Sequence, residues 1–206
     1  MPLIRGVRLL CGLFLFALGT VLTLRAHLGL SPWDVLADGV RIRTPLTFGQ
    51  AVIAIGFALV VLALCAGIRP GPGTIANMIL IGVFEDLLLN GSFLEGMDRA
   101  TVPLRTATCI AGIAIVGLGS ALYIGAELGA GPRDSLMLAV ARRTRWRIGI
   151  ARALVEGSAF LGGLLLGGSW GLGTVLFAAG IGPSVDAWFR AFKMDAAGRT
   201  RPVDRA

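Results

Sequence analysis

Four stretches of this chain, Leu9–Leu24, Phe48–Ile68, Thr106–Ala126 and Gly157–Val185, contain no aspartate, glutamate, lysine or arginine. Crossing a bilayer takes about 20 mostly apolar residues, and the last stretch is long enough to fold back on itself. A soluble globule has no use for so much uncharged length. Composition agrees: 15% of the residues are charged and the mean hydropathy is +0.81, where a soluble domain carries about 25% charged residues. The sequence therefore reads as a polytopic, all-α membrane protein whose first partner is the lipid bilayer.

The architecture comes from a repeat. Shifted by 100 positions, the sequence aligns with itself without a gap. Leu28-Gly29 meets Leu128-Gly129, Pro32-x-Asp34 meets Pro132-x-Asp134, and Arg43-Thr44 meets Arg143-Thr144. Gly49 then meets Gly149, Gly71-x-Gly73-Thr74 meets Gly171-x-Gly173-Thr174, Ile81-Gly82 meets Ile181-Gly182, and Asp86 meets Asp186. Chance matches in apolar sequence fall on Leu and Gly, not on Pro, Asp, Thr and Arg in one register.

Each half reads as three spans, near 7–26, 48–68 and 72–90, then near 105–126, 148–167 and 171–190. The first repeat covers 1–100 and the second 101–190, with a basic tail over 191–206 that has no apolar period and reads as disordered. Between the first two spans of each half lie Ser31–Val40 and Gly131–Arg142. Proline suits the first turn of a helix, and an acid there faces the positive end of the helix dipole. Each segment is expected to be a short helix starting at Pro32 or Pro132, interfacial or re-entrant. Because three spans is an odd number, the second copy must enter from the opposite side, which makes an inverted pair.

Charge sets the orientation. With the N-terminus inside, fourteen of the 19 basic residues fall on the inner side, among them Arg142, Arg143, Arg145 and Arg147. The outer side receives only Arg25, Arg41, Arg43, Arg99 and Arg105. The excess places both termini in the cytoplasm. The net charge of +7 thus belongs to membrane topology. No basic face with aromatic or polar readers exists for nucleic acid. Cys11, Cys65 and Cys109 sit within apolar runs and in no motif, as buried thiols do.

The elements Leu28-Gly29-Leu30-Ser31-Pro32-Trp33-Asp34, Gly131-Pro132-Arg133-Asp134 and Gly168-x-x-Gly171-x-Gly173-Thr174, with Ile181-Gly182-Pro183, carry a resemblance. Over about residues 7–190 the chain resembles the YczE/YyaS/YitT family of bacterial integral membrane proteins, its YczE-like branch in particular. The resemblance implies a multi-pass protein of the bacterial cytoplasmic membrane and suggests transport.

Ionisable groups at membrane depth are costly and are functional candidates by default. Asp34 and Asp134 open the two short helices. They either cap those helices at headgroup level or face a polar gap between the repeats, where inverted-repeat transporters hold solute and ion. Arg152 and Glu156 lie one turn apart where the first half has Val52 and Gly56, and Arg133 matches Trp33. These charges break the two-fold likeness, as packing glue or as a ligand site. Glu85, Asp86 and Asp186 lie near span ends and are expected to be interfacial and solvated. Thr74 and Thr174 follow Gly-x-Gly at span starts, where open N–H groups bind an anion or the threonine caps the helix. His27 is expected at an interface. Gly163-x-x-x-Gly167-x-x-x-Gly171 permits close helix packing within the chain, or between copies in a homo-oligomer.

Catalytic signatures are missing: there is no His-Glu-x-x-His, Gly-x-Ser-x-Gly, P-loop or Cys-x-x-Cys. The expectation is a non-enzyme without cofactor or metal. It is a transporter or permease for a small solute or ion. The alternative is a scaffold or accessory subunit that docks a partner through its basic loop and tail.

Overall fold

In a computed structural model that describes residues 2–91, 93–129 and 131–194, the chain is helical throughout, with no strand among those residues. In chain order the helices are α1 (Pro2–Arg25), α2 (Pro32–Arg43), α3 (Phe48–Cys65), α4 (Pro72–Asn90), α5 (Val102–Ile124), α6 (Pro132–Thr144), α7 (Ile148–Leu166) and α8 (Leu172–Ala191). A 3-10 turn, Met97–Arg99, lies between α4 and α5. Six helices are long and apolar enough to cross a membrane, namely α1, α3, α4, α5, α7 and α8. They fall within a few residues of the expected spans. The short α2 and α6 start at Pro32 and Pro132 as expected, and run on to Arg43 and Thr144. The tail from 195 onward lies outside the described residues.

The repeat extends to backbone conformation. His27 and Glu127 adopt left-handed φ of 50° and 56°, Gly29 and Gly129 of 109° and 130°, and Gly67 and Gly167 of 80° and 90°. Gly67 and Gly167 end α3 and α7, where a left-handed residue releases the chain from the helix. In the 26–31 and 126–131 breaks, Gly29 presses on Gly171 and Gly129 on Gly71. The Gly73 N–H donates to the Leu128 carbonyl at 2.8 Å, and the Gly173 N–H donates to the Leu28 carbonyl at 2.6 Å. Each half therefore docks its Gly-x-Gly-Thr turn onto the break of the other.

The centre of the bundle is α1 against α5. Gly12 faces Gly119 and Tyr123, while Gly19 faces Gly112 and Val116, so the two helices run antiparallel with backbones in close approach. Outside them the halves interlock: α2 lies on α7 and α6 on α3, with α4 against α1 and α8 against α5. Within the Gly163–Gly171 run, Gly163 abuts the backbone of Val35 and Leu36 in α2, and Gly168 abuts Val35. The run packs within the chain, and its end forms the turn into α8.

The likeness fails in the packing of the last helix. Helix α4 packs along α3, whereas α8 has only Gly173 and Thr174 buried and is not packed along α7 in the same way.

Candidate solute site between the two halves

The first turns of α2 and α6 meet at the centre. Ser31 caps α2: its Oγ accepts the Asp34 N–H at 3.3 Å, and its hydroxyl donates to Asp34 Oδ2 at 2.6 Å. Asp34 is only 3% exposed, so its carboxylate is enclosed by protein. Its other oxygen lies 3.7 Å from Arg133 Nη2 of the opposite half. Arg133 also stands over the Trp33 ring, 5.2 Å from its centroid. Such a cation–π contact strengthens as water is excluded. The two residues at the same repeat position, Trp33 and Arg133, thus stack on each other. Asp134, the twin of Asp34, accepts the Tyr123 hydroxyl at 3.2 Å.

A cavity of about 230 Å3 opens beside this cluster. Ser31, Tyr123, Arg133, Asp134, Arg152, Glu156 and Asp186 are among the residues that line it. Arg152 Nε donates to Glu156 Oε1 at 2.9 Å, and both side chains are open, 53% and 37% exposed. Asp186 is exposed and makes no hydrogen bond or ion pair among the described residues. The structure therefore brings Arg133, Asp134, Arg152, Glu156 and Asp186 to one cavity, with Asp34 behind Arg133. The cavity holds separated charges and aromatic walls, suited to a small polar solute.

Three expected candidates lie elsewhere. The Thr74 and Thr174 hydroxyls accept the N–H groups of Gly71 and Gly171 at 3.1 and 3.2 Å, tying down the turns that begin α4 and α8. With the Gly73 and Gly173 N–H groups also occupied, these turns are docking joints. Asp86 accepts the Gly49 N–H at 2.8 Å and the Thr47 hydroxyl, fastening α4 to the start of α3. His27 is exposed at the end of α1.

Glu85 corrects the sequence reading. It was expected to be solvated at a span end, yet it is 1% exposed, because its face of α4 turns toward α1 and Thr20. Asp38, not singled out, is also buried. It accepts the Ser169 N–H at 3.0 Å and pairs with Arg41 at 2.6 Å, tying α2 to the turn before α8. Burial works against its charge, but hydrogen bonds from Arg41 and Ser169 hold its carboxyl below the usual range. Both residues have an apolar twin, Val185 for Glu85 and Leu138 for Asp38. A charge facing an apolar twin was the signal that marked Arg152, and it would have found these as well.

The chain is similar over 177 residues to a Haemophilus influenzae protein described as uncharacterized, at 38% identity, covering 86% of this chain and 79% of that protein. It is 36% identical over 170 residues to the uncharacterized membrane protein YczE of Bacillus subtilis, covering 81% of this chain and 77% of YczE. The uncharacterized protein YyaS of the same organism is 28% identical over 174 residues, covering 80% and 82%. No solved structure matches. Six candidate spans and kinship with a protein named as a membrane protein place this chain among membrane proteins. Residues 3–190 match the family of unknown function DUF6198, and the chain belongs to that family.

Proposed function

We propose that the protein transports a small solute across the bacterial cytoplasmic membrane, as two inverted three-span repeats that alternate access to the cavity between them. Both termini are cytoplasmic, and α2 and α6 are re-entrant helices whose first turns meet at the solute site. The antiparallel packing of α1 and α5 supports the inverted relation, and the arginine excess supports the orientation.

One observation carries the reading: the same joint is closed in one half and open in the other. In the first half a Cβ on Gly49 would lie 2.0 Å from the Gly82 carbonyl, and Asp86 clamps Thr47 and Gly49. In the second half, among the described residues, nothing lies within 4 Å of a Cβ on Gly149 or on Gly182, and Asp186 is unpaired beside the cavity. With the N-terminus inside, the closed joint is extracellular and the open one cytoplasmic, as in an inward-facing transporter. A scaffold has no use for a polar cavity at this place, so the cavity favours transport over docking.

Cysteine labelling tests the orientation and the opening together. Ala178 lines the cavity. With Cys11, Cys65 and Cys109 replaced by alanine, Ala178→Cys should react with a membrane-impermeant maleimide in inverted vesicles and stay unreactive in intact cells. Reaction from the outside alone, or from neither side, removes the reading. A thermal-shift screen against metabolites and ions then seeks the solute. A ligand at a hundred times its dissociation constant stabilises the native state by roughly 2.7 kcal/mol. The shift should disappear in the Asp34→Asn/Asp134→Asn double variant, and a full shift there would sink the assignment of the aspartates.

A further inference from the structure

Glu85, 1% exposed, is the most deeply buried carboxylate among the described residues, and its Oε2 has no hydrogen-bond partner among them. The groups that act electrostatically on it are the Thr20 hydroxyl of α1, Asp34 of α2, Arg133 of α6 and its chain neighbour Asp86. The remaining packed helix, α3, carries no acid or base except Cys65 at its far end. Arg25 reaches α4 only past Glu85, at the Leu89 and Gly91 carbonyls.

We infer that Glu85, buried where α4 packs on α1 and with one carboxylate oxygen unpartnered, is a proton-binding site, and that its proton is the one a transport cycle would use. Two carboxylates face one guanidinium. Asp34 holds the better claim on it, with Arg133 at 3.7 Å and the Ser31 hydroxyl at 2.6 Å. A buried carboxylate without pairing is driven to neutralise by binding a proton. No described cavity is lined by Glu85, and the described residues hold no cluster able to bind a metal ion, so the space suits a proton and not a hydrated cation.

The position gives the proton leverage. Arg133 lines the cavity, and Asp86, next to Glu85 in the chain, fastens the closed joint. Loss of the proton would leave a second anion competing for Arg133 and repelling Asp86, so the cavity and the joint both sense the proton. The site itself stands independently of transport, which the proposed function supplies only as its use.

Infrared spectroscopy of the purified protein in phosphatidylethanolamine–phosphatidylglycerol vesicles tests it, with glutamate carboxyls labelled by carbon-13. At pH 7 an isotope-shifted C=O stretch of a protonated carboxylic acid should be present. It should vanish in Glu85→Gln and persist in Asp86→Asn. Thr20→Val, which removes the facing hydroxyl, should move the band, and this arm holds even where Glu85→Gln fails to fold. No labelled band at pH 7, a band surviving Glu85→Gln, or a band indifferent to Thr20→Val overturns the assignment. None of these outcomes depends on cysteine labelling, so failure here and failure of the transport reading are separable.

Discussion

Trp33 and Arg133 hold the same position in the two halves, and their stacking shows how a duplicated sequence becomes a site. A symmetric pair would place two tryptophans or two like charges there. The single replacement gives one cation, a ring to lie on and a buried aspartate to face. Removing the cation strands Asp34 with Ser31 alone. Arg133→Gln should therefore destabilise the protein by about 1–3 kcal/mol, since Arg133 keeps some solvent access that weakens the pair. Asp34→Asn added to it should recover part of that loss, as read from melting temperatures in detergent. Arg133→Lys keeps the charge but loses the flat stack, and should fall between the two. The aspartates could be read in the sequence because proline fixes where each short helix begins. Glu85 could not, because near the end of an apolar helix the letters alone do not say whether a carboxyl turns toward lipid headgroups or inward.

Among elements, the pairing of α3 with α4 and its looser counterpart α7 with α8 give the sharpest contrast. The two glycines of the closed joint, Gly49 and Gly82, match Gly149 and Gly182 at a shift of 100, so at those positions sequence treats the joints as equal. The difference lies in a neighbouring residue: Asp86 finds Thr47 and the Gly49 N–H, whereas the second half has Arg147 in place of Thr47. Gly49→Ala should thus force α3 from α4 and cost about 1–3 kcal/mol as overpacking does. Gly149→Ala meets open space and should be neutral or gain up to about 1 kcal/mol of helix propensity. Paired melting curves would show the split, and equal effects would mean the second joint is also packed. The spans were legible to within a few residues because charge-free length is a one-dimensional property. The lodging of α2 on α7 and α6 on α3 was not, since nothing in either half names its neighbour.

For the whole molecule, the transport cycle proposed above requires a second state in which the closed and open joints exchange roles. In that state α8 would close on α7 and α4 would leave α3. Helix α8 is equipped for it: Pro183, where α4 has Val83, removes a backbone hydrogen bond three residues before Asp186. The balance between the states should then depend on the contacts that exist in only one of them. Asp86 supplies two such contacts. Asp86→Ala removes both acceptors, and hydrogen bonds to a charged group contribute about 1.5–3 kcal/mol each. Every 1.4 kcal/mol moves a two-state population about tenfold, so even one lost bond should carry a measurable fraction of molecules outward. In Ala178→Cys protein, the added Asp86→Ala change should slow maleimide labelling in inverted vesicles at least several-fold and create labelling in intact cells. Asp186→Ala should leave the same rates unaltered, because that carboxylate holds nothing in the inward-facing form. If Asp86→Ala changes neither rate while the protein remains folded, the clamp is a static fastening and the two halves do not exchange roles.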